Sequence, residues 1–297
     1  MSAQISSVPI RAPFANRGGA WRRIAHGVRH NRAAMVGLVI IVLLLALALL
    51  APVLAPYAPD RMGAGRRLTP PSAAYPFGTD EFGRDIFSRI IYGSRLTLMI
   101  GAISVGISAV SGLLLGLAAG YAGGWIERII MRGTDVLFSF TEILIALAAV
   151  AVLGPTLQNA MIAVGIAAIP FYIRITYSQV LVEKNRPYFE AAMSAGAGHR
   201  RLIFRHLLPN VLPPLIVVAT LGMSTAMLAA AGLSFLGLGA QPPLPEWGLM
   251  LAQGRDFITR APWICIIPGL SIVITVLGFN LLGDGIREAL DPGQRRY

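Results

Sequence analysis

Residues 33–55 read AAMVGLVIIVLLLALALLAPVLA, without one charged side chain. A helix of that length, rising 1.5 Å per residue, crosses about 30 Å of hydrocarbon. Within hydrocarbon every backbone N–H and C=O must be paired inside the segment, so an apolar run of this kind constrains the chain to helix. Comparable runs recur over 96–119, 133–153, 156–177, 211–235 and 262–282. The expected fold class is therefore all-α, a polytopic membrane protein with six transmembrane helices. Only 13% of residues are charged, against about 25% in an ordinary soluble domain, which argues against a large soluble core.

The 297 residues carry a formal charge of +11. The basic residues fall in short segments beside apolar runs, with no basic groove and no interleaved aromatics. Anionic lipid headgroups fit that pattern; nucleic acid does not. The single cysteine, Cys265, stands in an apolar run, which excludes a disulfide scaffold or thiolate metal cluster and reads as a small buried hydrophobe.

In chain order, residues 1–32 form a basic segment, with Trp21 opening a helix over 21–32 that lies against the membrane. The basic flank predicts a cytoplasmic N-terminus, and the first run reads as a retained span, not a removed signal. An external loop follows over 56–95. Its first part is rich in proline, glycine and arginine. Residues 80–95 then place Phe82, Ile86, Phe87, Ile90 and Ile91 on one face of an amphipathic helix capped by Thr79 or Asp80. Asp80, Glu81, Arg84, Asp85 and Arg89 would face outward, toward a docked external protein or as a salt-bridged solvated face. Six arginines against four acids in this loop break a simple positive-inside count.

Glycines at 101, 106, 112 and 116 permit close approach along the second span. An inner loop over 120–132 precedes the third span, and Gly154-Pro155 makes a tight external turn. Pro170 should kink the fourth span. The segment 236–261 is external, with 247–253 apolar enough to re-enter the membrane face. Residues 33–290 form the spanning domain, polar from 283 onward, and 291–297 a cytoplasmic tail. Six crossings leave both termini and the loop over about 183–210 on the cytoplasmic side.

That loop is the polar interruption around which the apolar segments are arranged. Pro187 suits the first turn of a helix over 188–195. Gly196 and Gly198 can turn the backbone, and a second short helix over 199–207 is ended by Pro209. Arg200, Arg201 and Arg205 make it basic. A helix-turn-helix held between two spans is what a membrane protein needs in order to be pushed by a cytoplasmic partner.

The residues Glu190-Ala191-Ala192, Gly196 and Leu208-Pro209-Asn210 resemble the cytoplasmic coupling loop of membrane subunits from bacterial ATP-binding-cassette importers. FGTDEFGRDIFSRIIYGSR (77–95), LSFLGLGAQPPLPEWG (233–248) and PGLSIVITVLGFNLLGDGIREALDP (268–292) are similar to the second-permease (C-type) branch of the dipeptide/oligopeptide/nickel importer family. The resemblance covers most of the chain after about residue 20. It implies a type I importer permease fold in the bacterial inner membrane. It also implies a second homologous permease, two ATP-binding subunits that use ATP and Mg, and an external or periplasmic solute-binding protein. In the family the first short helix docks in a groove of the ATPase. On this chain the docking positions are Glu190, Ala191, Ala192 and Gly196, while Met193 and Ser194 depart from the arginine/alanine-like residues common there. Dipeptides or short oligopeptides are the implied solutes, with nickel chelates, glutathione or another small solute as alternatives.

The chain contains no G-x-x-x-x-G-K-[ST] phosphate loop, no His-Glu-x-x-His and no paired cysteines. It is expected to be no enzyme and to bind no cofactor or metal; ATP hydrolysis belongs to partners. His26, His30, His199 and His206 sit in basic segments and read as surface residues. Glu142, within an apolar span, is expected to be a polar pathway or interhelical residue or to lie at the interface. With Asp135 it also motivates a self-contained secondary transporter, against which the six spans and the coupling loop argue. A structural scaffold is the other rival. Asn280, Asp284 and Glu288, spaced i, i+4, i+8, mark inner-end contacts of the last span or a solvated face. Gly222, Gly232, Gly237 and Gly239 read as packing and turn residues.

Overall fold

A computed structural model describes Arg29 and residues 31–290; the interfacial helix expected from Trp21 and the tail over 291–297 fall almost wholly outside the described residues. The described architecture is helical. It comprises α1 (Arg32–Leu49), a turn of helix α2 (Ala51–Leu54), α3 (Ile86–Ala122), α4 (Gly124–Phe138), α5 (Glu142–Leu153) and α6 (Leu157–Lys184). These are followed by α7 (Pro187–Ser194), α8 (His199–Arg201), a π-helical turn (Leu202–Leu207), α9 (Leu208–Phe235), α10 (Trp247–Gly254) and α11 (Trp263–Leu290). Five of these segments are long and apolar enough to cross a membrane, or six if α4 and α5 are one broken span.

The expected amphipathic helix over 80–95 is not a separate element. The second crossing starts at Ile86 and runs unbroken for 37 residues, ~55 Å at 1.5 Å per residue. Two residues decide its start. Gly83 has φ +71°, and a Cβ there would meet the Gly65 carbonyl oxygen at 2.4 Å, so the chain turns instead of coiling. Asp85 then caps the helix, accepting the Ser88 N–H at 2.8 Å.

Asp80, Arg84, Asp85 and Arg89, at the start of α3, are buried, neither solvated nor turned outward. Asp80 accepts the N–H groups of Phe82 and Arg84, both at 2.9 Å, and pairs with Arg84 at 2.6 Å and Arg89 at 3.8 Å. Arg89 donates to the carbonyls of Pro59 at 3.0 Å and Leu244 at 3.2 Å. Glu81 is partly buried, and that burial raises its carboxyl above the usual range. This ionic knot fastens the loop before α3 to the loop before α10.

The expected third span is also not continuous. The Ser139 N–H turns back to Val136 O at 3.2 Å and the Phe140 N–H to Leu137 O at 3.2 Å, closing α4 with a tight turn. Thr141 is extended and Glu142 opens α5, at 94° to α4. Ser-Phe-Thr-Glu therefore acts as a helix start inside an apolar run. The expected inner loop over 120–132 is correspondingly helix, ending α3 and beginning α4.

Elsewhere the expected boundaries shift outward. Gly154, φ +94°, makes the turn that Gly154-Pro155 predicts, and Thr156 caps α6 by accepting the Asn159 N–H at 3.2 Å. α6 runs through Pro170 to Lys184, and α11 continues past the expected end at 282 to Leu290.

The core is built on the pairing of α3 with α6. A Cβ at Gly112 would lie 2.2 Å from Tyr172 Cβ, and one at Gly116 2.6 Å from Thr176 Cβ. Small residues four apart on α3 thus form the groove that receives α6; Gly106, also expected in it, has no neighbour within 4 Å. α1 packs on α11, where Gly37 meets the Gly278 carbonyl. α10 is buried against α9, α11 and α3, with the Trp247 indole N–H on Ile90 O at 3.2 Å. Cys265 is partly buried.

Candidate coupling site and cavities

The loop between α6 and α9 folds as its residue types dictate. Arg186 is extended and Pro187 takes the first turn of α7, where its missing N–H has no partner to lose. α7 ends in two bonds, Gly196 N–H to Met193 O at 2.9 Å and Ala197 N–H to Ala192 O at 3.1 Å. With Gly196 at φ +75° this is a Schellman cap, and Ala192 and Ala197 pack beneath it. Gly198 does not turn the chain: it is extended and precedes α8.

Pro209 does not end a second short helix. It sits in the first turn of α9, and His199 to Phe235 is one helical rod. The π-helical turn over Leu202–Leu207 just before it absorbs the bond proline cannot make. The Asn210 amide donates to His206 O at 2.6 Å, satisfying a carbonyl in the same region.

α7 has two faces. Phe189 is fully buried and clusters with Val180 of α6, Leu202, Leu207 and Val211. Glu190, Ala191 and Met193 are exposed and Ala192 half-buried. Beside them Arg200, Arg201, Phe204 and Arg205 are exposed too. The four docking positions of the sequence resemblance thus share one exposed module, whereas Leu208, Pro209 and Asn210 lie half-buried at the root of α9. Phe189 and Phe204 carry no signal in the sequence pattern beyond being apolar in a polar loop.

Polar ties anchor the module to the spans. Lys184 Nζ donates to the last carbonyls of α3, Gly120 at 2.9 Å and Tyr121 at 3.2 Å, where a cation also complements the helix dipole. Tyr121 bonds His199 at 2.5 Å. Tyr188 donates its hydroxyl to Glu183, a carboxylate only 3% exposed that pairs with Arg186 at 3.1 Å. Burial, together with the bond to Glu183 and its charge, pushes the Tyr188 phenol well up.

Two cavities open along the bundle. The larger, about 710 Å³, lies between α6, α9 and α11 and is lined by Gln179, Glu183, Arg186, Asn210, Asn280 and Arg287 among others. The smaller, about 290 Å³, lies at the α4–α5 bend and is lined by Ser104, Ser108, Glu142 and Tyr172 among others. Phe171, Gly222 and Thr225 line both. Glu142 is exposed in the first turn of α5, where a carboxylate also suits the helix N-terminus. Asn280, Asp284 and Glu288 do not form one site: Asn280 lines the larger cavity, Asp284 is exposed, and Glu288 accepts from Asn31 at the start of α1. Asp135 pairs with Arg174 at 2.8 Å, both half-exposed. Gly222 is a packing residue, since a Cβ there would meet the Tyr172 hydroxyl at 2.2 Å; Gly237 turns at φ +80°. Among the described residues no three His, Cys, Asp or Glu side chains come together as a metal site.

Residues 112–296 match the family described as binding-protein-dependent transport system inner membrane component, and residues 19–71 match the N-terminal TM domain of oligopeptide transport permease C. The chain is 48% identical over 272 residues to the dipeptide transport system permease protein DppC of Alkalihalophilus pseudofirmus, covering 92% of this chain and 90% of that one. It is 46% identical over 273 residues to the glutathione transport system permease protein GsiD of Pectobacterium atrosepticum, covering 92% and 89%. The fold is similar to that of an inward-facing MetNI methionine ABC transporter chain, with a TM-score of 0.57 at 22% identity, covering 69% of this chain and 98% of that chain. An all-α polytopic fold and these likenesses place the chain in the binding-protein-dependent transport system inner membrane component family, as a C-type permease subunit of the dipeptide/oligopeptide/nickel importers.

Proposed function

We propose that this subunit forms half of the path through which an ATP-driven importer takes up dipeptides or short oligopeptides. The observation that carries the reading is the two-faced α7: Phe189 is locked into the ends of α6 and α9, with Ala192 packed against that core, while Glu190, Ala191 and Met193 are exposed. A helix rigidly joined to the spans on one side and free on the other can transmit a push from a separate ATPase. Its small alanines allow close approach, and Glu190 offers a charge to a partner cation. The two cavities, which share Phe171, Gly222 and Thr225 in their walls, supply this chain's share of the path, with Glu142 on the wall of the smaller one.

In this reading α4 and α5 together make the third of six crossings, in a type I importer permease fold. Residues 33–290 form the spanning domain and both termini are cytoplasmic. The partners are a second, homologous permease, two ATPase subunits that use ATP and Mg, and an external solute-binding protein. Peptides are favoured because several relatives are dipeptide permeases, among them that of Alkalihalophilus pseudofirmus at 48% identity. The glutathione permease relative at 46% keeps glutathione as the second reading.

The test is reconstitution of the whole complex in vesicles with receptor and labelled dipeptide. ATP-dependent uptake is expected, along with a crosslink from Ala191→Cys to the ATPase. Replacing Glu190 and Gly196 together should lower peptide-stimulated ATP turnover about tenfold while membrane insertion stays normal. Uptake by this subunit alone, without nucleotide, would instead identify a secondary transporter. Normal uptake by a complex lacking the subunit would reduce it to a scaffold.

A further inference from the structure

Three helices meet on one phenol oxygen at the inner end of the bundle. Tyr188, on α7, donates to the Glu183 carboxylate in the last turn of α6. The same oxygen accepts from the Asn210 amide of α9 at 3.1 Å, and that amide also holds His206 O at 2.6 Å. The His206 ring lies beside the Tyr188 ring, centroids 6.1 Å apart and 32° between planes. Arg186, in the turn between α6 and α7, closes the cluster on Glu183 at 3.1 Å. Glu183, Arg186 and Asn210 also line the larger cavity.

The apolar anchor at Phe189 holds α7 in place but does not fix direction, because burial of apolar area is non-directional and tolerates sliding. Buried hydrogen bonds are directional, and leaving one partner unmade carries the full desolvation penalty of that group. A shift of α7 that left α6 and α9 behind would strand the Glu183 carboxylate, which is 3% exposed. The cheaper response is for the inner ends of α6 and α9 to move with α7. Both ends line the larger cavity.

We propose that Glu183, Tyr188 and Asn210 form a positioning relay that converts displacement of α7 into a change in width of the inner cavity mouth. This rests on the reading of α7 as the ATPase docking helix. Glu183 and Tyr188 are positioning residues that touch neither nucleotide nor ATPase.

The test uses the assembled complex in vesicles and measures peptide moved per ATP hydrolysed, alongside the Ala191→Cys crosslink to the ATPase. Tyr188→Phe removes one hydroxyl and leaves the packing. It is expected to keep the crosslink and to lower the transport-to-hydrolysis ratio about tenfold. Glu183→Gln, which retains an acceptor for Tyr188, should lose less than Glu183→Ala. A crosslinked Tyr188→Phe complex with an unchanged ratio overturns the relay and leaves the docking reading standing. Absence of the crosslink in the parent protein overturns the docking reading, and the relay with it. Asn210→Ala is the second variant; if neither it nor Tyr188→Phe assembles, the cluster serves folding alone and the relay is again overturned.

Discussion

At the scale of single residues, burial decides what a charge does in this chain. Arg89 and Arg174 are both paired with aspartate, yet Arg89 is 1% exposed at its side chain and Arg174 is 51% exposed. Arg89 also carries the Pro59 and Leu244 carbonyls, so removing it takes a buried cation from Asp80, which keeps Arg84, and leaves two part-buried acceptors unpaired. Breaking a buried pair from one side costs about 3–5 kcal/mol, whereas an exposed pair contributes about 0–1 kcal/mol. Arg89→Ala should therefore sharply lower the thermal unfolding midpoint of the detergent-solubilised protein, and Arg174→Ala should leave it nearly unchanged. Equal effects would contradict the contrast in burial. The letters in DEFGRDIFSR (80–89) give no warning of this: Asp80, Glu81, Arg84 and Arg89 read equally well as a solvated face. Burial comes from Gly83 turning the chain back and from the distant loop at Leu244 closing over Arg89.

At the scale of elements, helix–helix distance is set by a few small residues. A methyl group at Gly112 collides with Tyr172, while one at Gly106 meets nothing within 4 Å. Gly112→Ala is expected to cost about 1–3 kcal/mol through overpacking between α3 and α6, and Gly106→Ala to be neutral or slightly stabilising. Differential scanning fluorimetry of the two variants checks this; a tolerated Gly112→Ala would mean α3 and α6 do not pack as described. The sequence makes both glycines equally visible, because it lacks the rotation of one helix against the next. α9 teaches a similar lesson. Pro209 is a strong stop signal, yet it falls in the first helical turn behind a π-helical widening that accommodates it. The start of α7 and its glycine cap, by contrast, were readable in advance. Both depend on bonds within one turn of chain.

For the whole molecule, the proposed placement of the α7 module on the inner side requires α4 and α5 to act as one crossing. α5 has 12 residues, ~18 Å at 1.5 Å per residue, short of the ~30 Å of hydrocarbon. The bent pair must share the passage, or the count falls to five. Labelling single cysteines in intact cells separates the cases: Gly63→Cys should react with an impermeant thiol reagent added outside, and Gly196→Cys only after permeabilisation. Labelling at 196 from outside would overturn the topology. The amino-acid sequence by itself determined the helical membrane class, the apolar segments, the family and the polar helix-turn-helix between α6 and α9, because lipid requires long uncharged helices and that interruption is a contiguous motif. Only the tertiary structure decided that the loop before α3 is an ionic knot, that α4 and α5 meet at 94°, and that Glu183 and Asn210 meet on Tyr188. Each of those rests on atoms distant along the chain being brought within hydrogen-bonding or packing reach, which no local pattern encodes.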